Sequence, residues 1–232
     1  MFAITKHCNE RAYNAIIGGS LKIGTLSEYR SQEDAPGLMS DREEGISTLE
    51  VRGDVANASL KIGSISIEGF SSEGCVRGAI GVGHASDAYV FCASQGAYDR
   101  DRHEMLLRGN SEYPSNPDIL YYVVFDRDAL FSSIEEEFQK NVVGECSFKW
   151  GLVKYGDRRF ERTLAEMTAQ TEPSSSEIIR TIFAKPANFA CEEEIRFAIW
   201  SSDPVRSAVF LKSERFKNAI VSAGKYSKQM ES

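Results

Sequence analysis

The order of strand-like and helix-like segments predicts an α+β domain with a mostly antiparallel sheet. Near the N-terminus one helical pattern is followed by many short alternating segments, then by a few helices and further strands. No G-x-G-x-x-G motif follows the first strand, which disfavours a doubly wound parallel fold. The 232 residues, of which 42% are hydrophobic and 26% charged, suit a single domain over residues 1–232.

The N-terminal segment is predicted to form strand, helix and strand. A first short strand is expected over Phe2–Thr5. Asn9 is suited to cap a helix that runs to Ile17, because the apolar residues between them recur at helical spacing. Gly18–Gly19 stops this helix. Alternation of apolar and small or charged residues over Leu21–Thr25 then indicates a second strand.

Strand signals dominate the middle of the chain. A polar stretch from Ser31 to Gly45 has the character of a loop. The strands predicted after it are Ile46–Val51, Ser59–Ile67, Val76–Val82 and Ala88–Ala93. Tyr98–Pro117 is polar and is predicted to be irregular, whereas the apolar run Ile119–Phe125 is predicted to be a central strand.

The C-terminal part mixes helices with late strands. Asp126 or Asp128 can cap a helix whose apolar residues recur at helical spacing up to Phe138. The further segments predicted are a strand at Phe148–Tyr155, helices at Thr163–Thr168 and Ser174–Phe183, strands at Glu194–Trp200 and Ala208–Leu211, and a helix or strand at Phe216–Ala223.

Composition narrows the classes of function. The formal net charge of −7 argues against a broad nucleic-acid-coating surface, so contacts with a nucleic acid would be few and local. Five widely spaced cysteines give neither a disulfide framework nor a zinc-ligand spacing, and no metal is expected. No apolar run approaches the roughly 20 residues of a membrane span. We therefore expect a cytoplasmic protein with no membrane partner.

Three short segments contain side chains suited to bind a nucleotide. His7 at the end of the first strand can hydrogen-bond a ribose hydroxyl, although a histidine at such a position, taken alone, is more often an exposed loop residue. Tyr29 can stack on a planar heterocycle and Arg30 can hold a diphosphate, or both can belong to a solvent-facing turn. Ser94 offers a hydroxyl at a strand end, next to Cys92, whose apolar neighbours indicate a buried structural thiol.

The acidic triplet Glu192–Glu193–Glu194 is the most informative feature. Strand alternation would put Glu192 and Glu194 on one face and Glu193 on the other. A carboxylate beside a ribosyl cation of oxocarbenium character stabilises it, and a second carboxylate can deprotonate an acceptor. Arg196 lies on the same face and can hold a carboxylate in place. The alternative is a charged strand entry that has only a structural role.

Taken together, these segments resemble the ADP-ribosyltransferase-like fold, in particular the bacterial toxin and phage-defence branch of DarT-like or AbiGi-like proteins. The opening FAITKHCNERAYNAIIGGSLKIGTLSEYR is similar to the strand–helix–strand start of that fold. FAKPANFACEEEIRF is similar to its F-K-x-x-x-F-x-x-E-x-E-x-R segment, and Cys92–Ser94 to its serine-bearing strand. The first strand has no arginine and Tyr29 is followed by Arg30, so the chain lies between two subclasses.

The resemblance implies a split β-sandwich with peripheral helices around a cleft for NAD, which is a substrate. It implies that Thr5 or His7 lies near the nicotinamide ribose. The residues implied around the rest of the cleft are Tyr29 near the nicotinamide, Arg30 near the diphosphate, Ser94 as support, Glu194 as the catalytic acid and Glu192 as its accessory. The implied function is an NAD-dependent ADP-ribosyltransferase toxin that modifies RNA, DNA or a protein and is neutralised by an antitoxin protein.

Two other functions stay open on the sequence. One is a non-catalytic antitoxin or sensor built on a degenerate transferase fold. The other is a metal-dependent nuclease that uses the carboxylates of Asp41, Glu44, Glu192 and Glu194.

Overall fold

The computed structural model describes residues 2–31, 45–54, 60–62, 65–67, 77–85, 87–111, 113–141, 144–157, 159–163, 174–205 and 207–227. Its helical segments are α1 (Glu10–Ile17), α2 (Leu26–Ser31), α3 (Arg100–Arg108), α4 (Arg127–Asn141), α5 (Ser175–Ile182), α6 (Glu214–Asn218) and a 3-10 helix (Ala187–Glu192). Its strands are β1 (Ala3–Cys8), β2 (Ser20–Thr25), β3 (Ile46–Asp54), β4 (Leu60–Ile62), β5 (Ile65–Ile67), β6 (Arg77–Ala85), β7 (Tyr89–Gln95), β8 (Tyr121–Asp126), β9 (Cys146–Leu152), β10 (Lys154–Tyr155), β11 (Arg159–Thr163), β12 (Ala184–Lys185), β13 (Glu194–Ser201), β14 (Val209–Lys212) and β15 (Ile220–Lys225).

The predicted α+β class is confirmed, with a mostly antiparallel sheet. Eight strands form the main sheet in the order β14-β2-β7-β1-β8-β15, and β13 joins it beside β7 with β9 beyond it. The strand pairs within this sheet run antiparallel. Smaller sheets contain β11-β3-β6, β10-β12 and β4-β5.

Strand β7 is the branch point of the main sheet. One edge of β7 pairs with β13 from Tyr89 to Ser94. The other edge is divided: β2 pairs at Tyr89 and Val90, and β1 pairs at Ser94 and Gln95. Between these short pairings β1 and β2 diverge from β7, since β1 continues along β8 and β2 along β14. This divergence opens the sheet in the middle of β7.

Apolar residues pack on both sides of the sheet. The largest buried cluster joins one face of the central strands to α1, α4 and α6, with Phe125, Phe138 and Phe216 fully buried. On the opposite face, a second cluster joins Leu26 of α2 to Ile182 of α5. A third apolar cluster lies between α3 and the 3-10 helix. The second and third clusters flank the opening in the sheet.

Local chain signals account for several helix boundaries. The predicted Asn9 cap is present, and its side-chain oxygen accepts a hydrogen bond from the backbone of Ala12. Asp126 caps α4, accepting from the backbone of Asp128 and Ala129. Ser174 and Glu177 form a reciprocal capping box at the start of α5.

Some predicted elements differ from the structure. The irregular segment expected at Tyr98–Pro117 is wrong over Arg100–Arg108, which is α3. The first strand is longer than predicted and runs to Cys8. The segment Phe216–Ala223 contains both the end of α6 and the start of β15. The helix predicted at Thr163–Thr168 begins on the last residue of β11, and its remainder lies outside the described residues, as does most of the Ser31–Gly45 loop.

Candidate active site

A cleft open to solvent, with about 670 Å³ of space, lies where β1 and β2 diverge from β7. The residues that line it are Thr5, Lys6, His7, Leu26, Tyr29, Val90, Cys92, Ala93, Ser94, Leu106, Lys185, Glu192, Glu194 and Arg196. Residues far apart in the chain therefore meet at the branch point of the sheet.

Strand register places three polar residues in one row beneath the cleft. Thr5 of β1 lies opposite Ser94 of β7, and Ser94 lies opposite Glu194 of β13. Directly opposed residues of antiparallel strands project from the same face of the sheet. Arg196 lies opposite Cys92 in the next row on that face. The Thr5 hydroxyl donates to the carbonyl of Gly96 at 2.9 Å, which fixes this corner of the row.

Tyr29 reaches the cleft because a capping box starts α2 directly after β2. The Glu28 backbone donates to the Thr25 hydroxyl at 3.0 Å, and the Thr25 backbone donates to the Glu28 carboxylate at 3.2 Å. The Tyr29 ring covers Gly24, where a Cβ atom would lie 3.2 Å from the ring. Burial is the main reason that the pKa of the Tyr29 hydroxyl is well above its usual range, so the ring is neutral.

The acidic triplet enters the cleft through a tight turn and not through strand alternation. Glu192 is the last residue of the 3-10 helix, and β13 starts at Glu194. Glu193 between them has φ 42° and ψ 51°, a left-handed conformation that is unfavourable for a residue with a side chain. Its carboxylate points out of the cleft and forms an ion pair with Arg102. The predicted division of the triplet into two inward and one outward carboxylate is therefore confirmed, for a different geometrical reason.

Glu192 and Glu194 belong to a buried cluster of four charges. Lys185 contacts both carboxylates, with its Nζ 2.6 Å from Glu192 Oε2 and 2.8 Å from Glu194 Oε2. The Arg196 guanidinium donates to the other oxygen of Glu194 and to the carbonyl of Ile182. All four charged side chains are at most 8% exposed. The carboxylates in the cleft are thus compensated by two cations.

The surroundings of the two carboxylates differ enough to separate their proton affinities. Although burial opposes ionisation, Arg196 and Lys185 hold the pKa of the Glu194 carboxyl well below its usual range. Burial raises the pKa of Glu192 to about 7, against the pull of Lys185 and with a further increase from the neighbouring Glu194 carboxylate. Pairs of carboxyls whose pKa values are pushed apart are suited to different roles in one reaction. Glu194 stays ionised, whereas Glu192 exchanges a proton near neutral pH.

His7 contributes a neutral imidazole with both ring nitrogens buried. Burial lowers its pKa to about 3, and the nearby His103, Arg102 and Lys6 add to this effect. Neither ring nitrogen has a hydrogen-bond partner in the part of the chain that the structure describes. The ring packs edge-on against His103, with centroids 4.6 Å apart. Because buried polar atoms are nearly always satisfied, these nitrogens favour a ligand or water as partner.

Two further residues of the cleft have structural explanations. The Lys6 ammonium donates to the carbonyl of Cys92 at 2.7 Å, where the divided edge of β7 opens. Burial and the Glu194 carboxylate raise the pKa of the Cys92 thiol to about 12. A thiol that is protonated at neutral pH is a poor nucleophile, in agreement with the structural role expected for Cys92.

The cleft brings together six of the seven residues that the sequence selected: Thr5, His7, Tyr29, Ser94, Glu192 and Glu194. Arg30 is not among the described residues that line it, although it follows Tyr29 on α2. No role was predicted for Lys185 or for Tyr113, whose hydroxyl donates to Glu192 Oε1 at 3.2 Å. The lysine was visible in the F-K-x-x-x-F segment, but a phenol 79 residues before its partner has no local signal.

Comparison with protein-family profiles, curated proteins and solved structures finds no match to this chain. Within the described ranges, no three or more histidine, cysteine, aspartate or glutamate side chains are grouped as ligands for a metal ion. Asp41 and Glu44, which the nuclease hypothesis requires, lie outside the described residues. In the same ranges no helix has both the length and the apolar character needed to cross a bilayer.

Proposed function

We propose that this protein is an NAD-dependent ADP-ribosyltransferase whose reaction takes place in the cleft at β7. The observation that carries the proposal is the buried, ionised Glu194 carboxylate, which faces the same cleft as the Tyr29 ring and the His7 imidazole. A fixed negative charge in a site of low dielectric strongly stabilises developing positive charge. Breaking the bond between nicotinamide and ribose develops that charge on the ribosyl ring.

The neighbouring side chains suit the other parts of the substrate. The Tyr29 ring is held against Gly24 and stays neutral, so it offers an apolar aromatic surface to the nicotinamide ring. Neutral His7 has one donor and one acceptor nitrogen, which match a ribose hydroxyl that both donates and accepts. Thr5 and Ser94, which lie opposite each other in the sheet, line the same cleft.

The transfer exchanges nicotinamide for an atom of the acceptor at the anomeric carbon of the ribose. The bond from the ribose anomeric carbon to the nicotinamide nitrogen breaks, and nicotinamide leaves with the electron pair. A nucleophilic oxygen or nitrogen of the acceptor forms the new bond to the same carbon. Its proton passes to the ionised Glu192 carboxylate, whose pKa of about 7 suits a general base at neutral pH. Glu194 remains ionised throughout.

The acceptor is a nucleic acid or a protein, as the resemblance implies, and the setting is a bacterial toxin–antitoxin or anti-phage defence system. Incubation with labelled NAD, followed by separation of the RNA, DNA and protein fractions, identifies which class takes up label. The same resemblance implies an antitoxin partner, and the cysteine pattern favours a cytoplasmic location.

The first test replaces the carboxylate that carries the proposal. In Glu194→Gln we expect NAD consumption and transfer to fall roughly 100- to 1,000-fold, the usual effect of removing one electrostatic contact to a transition state. The matched control is Glu193→Gln, because that carboxylate is the next residue along the chain yet points out of the cleft to Arg102. Circular dichroism must show both variants folded.

Three results would contradict the proposal. Wild-type protein that shows no heat of NAD binding in calorimetry would favour the non-catalytic antitoxin or sensor. Nucleic-acid cleavage that EDTA abolishes would favour the nuclease, although both cleft carboxylates already contact cationic side chains. Unchanged activity in Glu194→Gln would remove the role assigned to that carboxylate.

A further inference from the structure

Lys185 occupies the junction between the two carboxylates of the cleft. It is the second residue of β12, where it pairs with Tyr155 of β10, and it is 6% exposed. Its Nζ lies within hydrogen-bond distance of both Glu192 and Glu194. The ammonium also lies 5.0 Å from the centroid of the Phe189 ring. A buried lysine with two carboxylate contacts and a ring beside it has little rotational freedom.

Glu192 is held at both of its oxygens. Lys185 contacts Oε2, and the Tyr113 hydroxyl donates to Oε1 at 3.2 Å. Tyr113 is 1% exposed and packs against Phe189, so its hydroxyl cannot move far. The two contacts come from separate parts of the chain and fix the carboxyl plane. This arrangement orients Glu192 toward the cleft without depending on the strained turn alone.

We propose that Lys185 is a positioning residue that joins the two carboxylates and supplies the positive charge that Glu192 needs to ionise and take a proton from the acceptor. The proton transfer from the acceptor rests on the proposed transferase function. The physical basis is a difference in contacts: Glu194 touches two cations, Arg196 and Lys185, whereas Glu192 touches Lys185 and a neutral phenol. An ionised Glu194 then repels a second negative charge on its neighbour.

The effect of removing Lys185 on the pKa of Glu192 depends on the charged and titratable groups that face Glu192. They are Lys185 of β12, Glu194 of β13, Tyr113, Tyr155 of β10 and the adjacent Cys191. Without the ammonium, Glu192 would face the Glu194 carboxylate across a buried site with its attractive charge gone. Loss of an opposite charge at this distance raises the pKa of a carboxyl by about one to three units.

The test follows the Glu192 carboxyl directly. Protein labelled with carbon-13 at the glutamate carboxyls is titrated by NMR, and the Glu192 signal is assigned by its loss in Glu192→Gln. In Lys185→Met we expect the midpoint to rise by about one to three pH units, and in Lys185→Arg to return toward the wild-type value because the charge is kept. Lys154→Met is the matched control, since Lys154 is exposed on β10, the strand paired with β12.

A transferase assay adds a readout that loss of packing would not produce. In Lys185→Met the acid limb of the pH–rate profile should move to higher pH by the same amount as the Glu192 midpoint. Lys185→Gln keeps a hydrogen-bond donor on a side chain one atom shorter and removes the charge, so it serves if the methionine variant does not fold. An unchanged Glu192 midpoint in a folded, uncharged Lys185 variant overturns the proposal. If the midpoint moves but wild-type protein consumes no NAD, the positioning role stands and the transferase function fails.

Discussion

The two faces of β7 and β13 show how one pair of strands serves two purposes. On one face Phe91 and Phe197 lie in the main apolar cluster, each at most 3% exposed. On the other face the register brings together Ser94, Glu194 and Arg196. Because successive side chains of a strand point to opposite faces, neighbours in the sequence occupy opposite environments. One face is apolar, whereas the other carries the charged groups beside the second apolar cluster.

This division has an energetic reason. A buried ion cluster contributes little net stability, because desolvation of the charges offsets their attraction. Apolar burial contributes about 25 cal/mol per Å² and has no such penalty. A strand with charges on one face therefore needs a fully apolar opposite face. We therefore predict that substitutions on the apolar face mainly change stability, whereas substitutions on the charged face mainly change the chemistry of the cleft.

The largest stability effect is expected on the apolar face. Phe197→Ala should lower the free energy of unfolding by about 3–5 kcal/mol, because the side chain is buried in the main apolar cluster. Phe197 is 2% exposed, and the centroid of its ring lies 4.8 Å from that of Phe131. Urea denaturation measures this change. Phe210→Ala is the control: that ring is 69% exposed and its loss should change stability by less than about 0.5 kcal/mol. Equal losses in the two variants would contradict the division of the sheet.

A smaller effect, which depends on pH, is expected on the charged face. The pKa of Glu192 is about 7 when folded and near 4.5 when unfolded, so between these values the folded state binds more protons. Stability from this group is therefore present at low pH and is lost as the pH rises through that window, by at most about 1.4 kcal/mol per pH unit.

Glu192→Gln removes this dependence. The free energy of unfolding of wild type minus that of Glu192→Gln should fall between pH 5 and pH 7, which urea denaturation at several pH values measures. Phe210→Ala should run parallel to wild type, because it removes no ionisable group. A constant difference between wild type and Glu192→Gln would show that Glu192 is not the titrating group.

The smallest effect concerns the turn that separates the two carboxylates. Glu193→Gly and Glu193→Ala both lose the Arg102 pair, but only glycine relieves the left-handed backbone at φ 42°. The glycine variant should therefore be about 1 kcal/mol more stable than the alanine variant. Thermal or urea denaturation of the two proteins measures the difference. If alanine is the more stable, the turn carries no strain.

Several elements could be predicted from local residues, and others were missed although a signal was present. Asn9 and Asp126 cap their helices as expected. The T-x-x-E sequence at Thr25–Glu28 is a capping box that starts α2, a helix that was not among the elements predicted from the sequence. Asp99 caps the start of α3 and Gly109 its end, but the polar composition of the segment concealed the helix.

In the candidate site, too, some residues are grouped by the local sequence and others only by the tertiary fold. Glu192, Glu194 and Arg196 lie within five residues, so a local pattern sufficed to group them. Their contacts with Tyr113 and with Lys185 depend on how the 3-10 helix folds back beside β12 and α3, which no period in the sequence encodes.

The sequence by itself determined the α+β class, the main helix caps and the presence of two carboxylates next to an arginine, because periodicity, capping and spacing act over a few residues. Only the tertiary structure decided that β1 and β2 part at β7, that His7, Tyr29 and Glu194 line one cleft, and that Lys185 joins the carboxylates. Strand register and charge burial arise from contacts between distant segments, and these set the proton affinities of Glu192 and Glu194.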